Sequence, residues 1–177
     1  FRLMNRLIYT VTLLLFCSLL SAQQRAIGTW QAHFPYSIGN QIEDAEDRIY
    51  CASTLAIFYI DKEDNSMQTL NKANGLSDVG IKKIKYSASA KTLIVAYENS
   101  NIDLLVDGEN MYNLPDIKNK ITSSSKNIND IFVYGNFAYL STDIGIAVLD
   151  LVKREIKSTY VIGNNGGNVV VNGVVIN

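Results

Sequence analysis

Phe137-Ala138-Tyr139-Leu140-Ser141-Thr142, a two-residue gap at Asp143-Ile144, then Gly145-Ile146-Ala147-Val148-Leu149-Asp150 is the stretch from which the fold can be read. Two runs of apolar and small residues, separated by a gap of hairpin length, predict two antiparallel strands. Upstream, Ile128–Tyr134 forms another run, set off by Gly135-Asn136. Downstream, Ile156–Ile162 forms a fourth, set off by Lys153-Arg154. Short gaps of this kind join strands that are neighbours in space, so the segment predicts a four-stranded meander.

The same unit stands twice earlier in the chain. Arg48-Ile49-Tyr50-Cys51-Ala52-Ser53-Thr54 is followed by Ile57-Phe58-Tyr59-Ile60-Asp61, and Thr92-Leu93-Ile94-Val95-Ala96-Tyr97 by Ile102-Asp103-Leu104-Leu105-Val106-Asp107. Ile57, Ile102 and Ile146 mark equivalent points, 45 and 44 residues apart. Val171-Asn172-Gly173-Val174-Val175-Ile176 echoes Ile128–Val133 and opens a fourth copy. A period of about 40–50 residues with four strands per unit is the mark of β-propeller blades. Each blade packs on both faces, which suits strands apolar on both sides, such as Ile146-Ala147-Val148-Leu149. A β-sandwich spaces its strands similarly, but it has no fixed period. The fold class expected is all-β: an incomplete β-propeller of about three four-stranded blades plus the start of a fourth, since rings close at about four to eight blades. Ile27–Ala32 is expected to supply an opening strand to the last blade.

The N-terminal residues have a different character. Arg2 and Arg6 precede an apolar run from Leu7 to Leu20, followed by Ser21-Ala22. That order predicts a secretory signal peptide over residues 1–22, leaving 23–177 as the propeller part. The run is short for the roughly 20 residues of a membrane-spanning helix. Phe16 before Cys17 argues against lipidation of that cysteine. The chain opens on Phe1 although Met4 is a more natural start, and it stops at Asn177 within a strand-like pattern, so a longer parent protein is expected.

Composition narrows the function classes. Hydrophobic residues at 47% and charged residues at 19% support a packed core. Sixteen basic side chains against seventeen acidic ones leave no basic stripe for a nucleic-acid backbone, so no nucleic-acid partner is expected. His33 is the only histidine, so a Ser-His-Asp or Cys-His arrangement could use nothing else. Among Trp30, Phe34, Pro35 and Tyr36 it reads as a structural or surface residue, and the several Cys or His ligands of a usual zinc site are lacking. Cys51 sits in the apolar alternation Ile49-Tyr50-Cys51-Ala52 and reads as a small buried hydrophobe.

The acidic run Glu43-Asp44-Ala45-Glu46-Asp47 and the group Asp61, Glu63, Asp64, Asn65 lack the ligand spacing of a calcium loop and read as solvated connections. Gly163–Asn168 reads as a connection between blades, and Asp116–Asn127 as a polar loop that could bind. A glycosidase pair cannot be assigned among Glu98, Asp143 and Asp150, and Asp61, Asp107 and Asp150 read as turn residues at strand ends. No catalytic residue, cofactor or metal is expected. Glu98, Asn99 and Ser100, with Thr142 and Asp143, are the candidate ligand-binding residues, because these turns should share one face of the ring.

Asn74-Gly75-Leu76-Ser77-Asp78, with Ile81, Ile84 and Leu93–Ala96 after it, resembles the propeller repeat of two-component sensor regulators. Trp30, His33, Pro35-Tyr36, Ile49–Ala52, Asp61–Ser66 and Asn74–Asp78 carry a closer resemblance. Asn101–Leu104, Pro115–Lys118, Ile128–Ile131, Val148–Leu151 and Arg154–Lys157 extend it. Together they are similar to the N-terminal propeller of the PorZ family of the type IX secretion system of Bacteroidota. The resemblance implies a non-enzymatic cell-surface protein with a second propeller and a sorting domain. It further implies partnership with the sortase PorU and with PorV and PorQ, and binding of anionic lipopolysaccharide for presentation to the sortase. The alternative is the ligand-binding extracytoplasmic propeller of a hybrid sensor.

Overall fold

The computed structural model describes Arg6 and residues 38–176. The proposed signal peptide at 1–22, Cys17, the 27–32 strand and His33 therefore lie outside the described residues. Contacts divide the chain into Phe1–His33 and Phe34–Asn177, and every strand among the described residues belongs to the second unit.

Three four-stranded antiparallel sheets make up that unit. The first holds β1 (Gln41–Ala45), β2 (Arg48–Ala52), β3 (Ala56–Asp61) and β4 (Met67–Asn71). The second holds β5 (Ile81–Ser87), β6 (Thr92–Tyr97), β7 (Ile102–Val106) and β8 (Asn110–Leu114). The third holds β9 (Ile128–Tyr134), β10 (Phe137–Thr142), β11 (Gly145–Asp150) and β12 (Glu155–Tyr160). Strand order equals chain order in each sheet, so every sheet is a meander and the three stand as an open run of propeller blades. β9 and β10 have the bounds expected from the sequence, while β12 begins and ends earlier than Ile156–Ile162.

The core lies between the sheets. Tyr50, Ala52, Ile57 and Tyr59 of the first sheet pack against Leu93, Val95, Tyr97 and Leu105 of the second. The opposite face of the second sheet, with Ile94, Ala96, Ile102 and Leu104, packs against Ala138, Leu140, Ala147 and Leu149 of the third. Every residue of β6 is buried, which explains its continuous apolar run: neither face meets water.

The repeat extends to the turns. Ser53 Oγ donates to the Ala56 carbonyl at 2.9 Å, and Thr142 Oγ1 to the Gly145 carbonyl at 2.8 Å. Leu55-Ala56 and Ile144-Gly145 thus make the same hairpin. Neighbouring blades are joined at this end too, Ile81 N to Thr54 O at 2.7 Å and Val171 N to Thr142 O at 3.0 Å. The second bond places the fourth copy where a fourth blade begins, although residues 171–176 form no strand ladder.

Three expectations require correction. Glu43-Asp44-Ala45 is not a solvated connection but the end of β1, with only Glu46-Asp47 left as its turn. The 116–127 loop opens with a helical turn, α1 (Asp116–Asn119), whose Ile117 is buried. Asp107 is not the counterpart of Asp61 and Asp150. Those two pair across their hairpins with Arg48 and Phe137, whereas the equivalent partner of Thr92 is Val106. Asp61 accepts Glu63 N at 2.9 Å and Asp150 accepts Lys153 N at 2.9 Å, as turn aspartates do, while Asp107 turns the chain through a left-handed φ of 52°.

Candidate functional site

Antiparallel pairing brings the β2–β3, β6–β7 and β10–β11 turns to one end of the sheets, with the 72–80 and 115–127 connections. Asn74-Gly75-Leu76-Ser77-Asp78 organises the first of those connections. The Asn74 side chain accepts from Asn71 N at 2.6 Å and donates to Thr69 O at 2.7 Å, closing the loop on β4. Leu76 is buried between the first and second sheets and acts as the anchor. Ser77 N then donates to Asp103 Oδ2 at 2.8 Å.

Asp103 is fully buried, a carboxylate in the otherwise apolar Ile102–Leu105 run. An ionised group there needs several donors to offset lost hydration. Besides Ser77 N it accepts from Tyr97 OH at 2.5 Å and from Asn113 Nδ2 at 2.8 Å. Burial, then this bond to Asp103, pushes the Tyr97 phenol far above its usual range. Asp78 forms a second hub nearer the surface. Its Oδ2 accepts from Asn99 Nδ2 at 2.6 Å, Lys118 Nζ at 2.8 Å and Asn101 Nδ2 at 3.3 Å. Lys72 Nζ lies 3.8 Å from Oδ1. Burial works against ionisation, but the bonds from Lys118 and Asn99 and the Lys118 charge win, and the carboxyl is lowered to about 2.

The five candidate residues divide by exposure. Glu98 and Asn99 are exposed, Glu98 N bonding to Gly80 O at 2.8 Å. Ser100 is buried, with its hydroxyl bonded to Lys126 O at 2.9 Å, and Thr142 is buried with its hydroxyl bonded to Gly145. These two are turn-builders, their polar atoms turned inward. Asp143 accepts from Asn127 at 3.0 Å and Asn129 at 2.8 Å. Hydrogen bonding with Ser125, then Asn129 and Asn127, keeps its carboxyl below the usual range. Burial raises the pKa of the Cys51 thiol, away from the thiolate a nucleophile needs.

Around the inner strands the blades are linked by side chains. Gln41 bonds both backbone groups of Ile84, at 2.7 and 3.0 Å, and Glu43 meets Lys85 Nζ at 3.1 Å and Tyr86 N at 3.3 Å. Among the described residues no strand pairs with that edge of β5, and β1 satisfies it with amide and carboxylate groups. Lys83 and Asp130 lie 3.6 Å apart across the next boundary. These inner-strand residues and the Asp78–Asp103 hubs escaped the sequence reading. The legible signal was a carboxylate inside an apolar strand at Asp103; Gln41 and Glu43 gave none, because their partners are 43 residues away.

Meander sheets packed face to face, joined by polar inner strands and by a loop end saturated with hydrogen bonds, define a β-propeller whose described carboxylates mostly hold structure. Residues 49–176 match the family model of the PorZ N-terminal β-propeller domain of the type IX secretion system. The chain belongs to this family.

Among solved structures it is similar to PorZ of Porphyromonas gingivalis, an essential bacterial surface component of the type IX secretion system. Identity is 28%, the TM-score 0.65, and the match covers 69% of this chain and 16% of that one. Apo AztD from Citrobacter koseri, at 17% identity and a TM-score of 0.53 over 69% of this chain and 33% of that one, shares the fold. A chain of the mitotic checkpoint complex, at 11% identity and a TM-score of 0.50 over 81% and 48%, shares it as well. No curated protein matches.

Proposed function

We propose that this propeller is a non-enzymatic binding module of a PorZ-like protein at the outer-membrane surface. There it helps hold anionic lipopolysaccharide and present it to the sortase PorU, in an attachment complex with PorV and PorQ. The observation that carries the reading is the family match over residues 49–176. The 28% identity to a surface component of the same secretion system supports it. So does the apolar stretch Leu7–Leu20 after two arginines, the pattern of an exported chain.

The chemistry of the described residues favours binding over catalysis. Asp78, Asp103 and Asp143 are each held by several hydrogen bonds, and Cys51 is buried. Through Asp78 the exposed Glu98-Asn99 turn is joined to Lys72 and Lys118, whose side chains are more than a third exposed and suit an anionic glycan. The test uses the complete protein, immobilised and offered anionic lipopolysaccharide or its neutral counterpart. Selective retention of the anionic form is expected, along with release of unmodified cargo by cells lacking the protein. No retention, with cargo modified normally in those cells, would overturn the proposal.

A further inference from the structure

At the opposite end of the sheets, a cleft opens between the first and second blades, about 200 Å³ in volume. Tyr50 and Tyr86 line it, with Glu46, Asp47 and Asp107 on its rim against one lysine, Lys91. Tyr50 is buried beside Arg48, whose guanidinium donates to Gly108 O at 2.9 Å and lies 5.1 Å from the Tyr59 ring centre. Arg48 thus shows within this molecule how the boundary receives a cation: on an aromatic face, with a carbonyl and carboxylates nearby.

Tyr86 lines the cleft beside the acidic turns, and no cation stacks on its ring among the described residues. It is half-buried, and its hydroxyl makes no hydrogen bond among the described residues. Burial, then the charges of Glu46 and Asp47, raises its pKa. Asp47 lies 3.9 Å from the Arg48 guanidinium, so Glu46 and Asp107 against Lys91 leave the lining net negative by one charge, which disfavours an anionic glycan and attracts a cation.

We propose that this cleft is a docking site for a lysine or arginine side chain of a partner protein, its cationic head seated on Tyr86 between Glu46 and Asp107. The proposal does not depend on lipopolysaccharide binding, which concerns the other end of the blades. The probe is an oligolysine peptide titrated calorimetrically into the complete protein at low and physiological salt. Glu46→Gln with Asp107→Asn removes two rim charges that form no ion pair with described residues. Glu63→Gln with Glu109→Gln removes two charges from the β3–β4 and β7–β8 turns at the same end, both outside the cleft lining, and serves as control.

The rim pair should weaken binding at least tenfold, Tyr86→Ala should weaken it further, and the control pair should change it less than twofold. Equal losses in the rim and control pairs would mean diffuse charge attraction and overturn the proposal. Unchanged binding in the rim pair, with a native thermal transition, would overturn it as well. If Tyr86→Ala fails to fold, Tyr86→Phe replaces it, and the rim-pair comparison decides.

Discussion

Asp78 gathers more hydrogen bonds from side chains than any other described carboxylate, and its value lies in joining three segments distant in sequence: its own connection, the β6–β7 turn and α1. Its folded pKa of about 2 lies below the ordinary 3.8. The linked stabilisation is therefore complete above the unfolded value and is lost as pH falls through about 2. With the side chain only 14% exposed, the shift corresponds to about 2 kcal/mol. Asp78→Asn should lower stability at neutral pH by about that amount and flatten the acid dependence between pH 4 and 2, as urea denaturation across pH would measure. Asn74–Asp78 is conspicuous as sequence, yet the partners of Asp78 are not, because Lys118 lies 40 residues away.

At the scale of elements, the hairpins could be read directly because each is local: strand, a gap of two to five residues, strand. Their special positions are sharply constrained. Gly145 has a φ of 122°, and a Cβ there would lie 2.1 Å from the Tyr160 carbonyl oxygen. Gly145→Ala should therefore separate β11 from β12 and cost at least about 2 kcal/mol, with loss of amide protection along Glu155–Tyr160. β1 could not be read in the same way. Its acidic, polar surface looks like a loop, and only the exposed edge of β5 makes Gln41 and Glu43 useful in a strand. Gln41→Ala would strand the Ile84 N–H and carbonyl, costing about 1–3 kcal/mol in chemical denaturation while leaving the inner sheets paired.

Across the whole molecule, stability should be graded by how many faces of a sheet are covered. β6 is buried throughout and sits in the sheet that packs on both sides, whereas β4 and β12 are outer edges with exposed residues. Hydrogen exchange should be slowest in Thr92–Tyr97 and fastest in Met67–Asn71 and Glu155–Tyr160. Equal protection in all three sheets would contradict a stack in which each blade is stabilised by its neighbours.

The sequence by itself determined the repeat, the hairpins, the all-β class and the resemblance to PorZ, since each of these is written in short-range alternation and a fixed period. It also placed Cys51 inside and gave Asp61 and Asp150 their turn roles, both local matters of polarity and spacing. Only the tertiary structure decided that β1 is a strand, that Thr142 and Ser100 point inward, and that Asp103 is held by Tyr97, Asn113 and Ser77. The physical reason is the same in each case. A polar side chain records its chemistry in the sequence, but whether it faces water or a partner depends on which distant backbone the packing of blades brings against it.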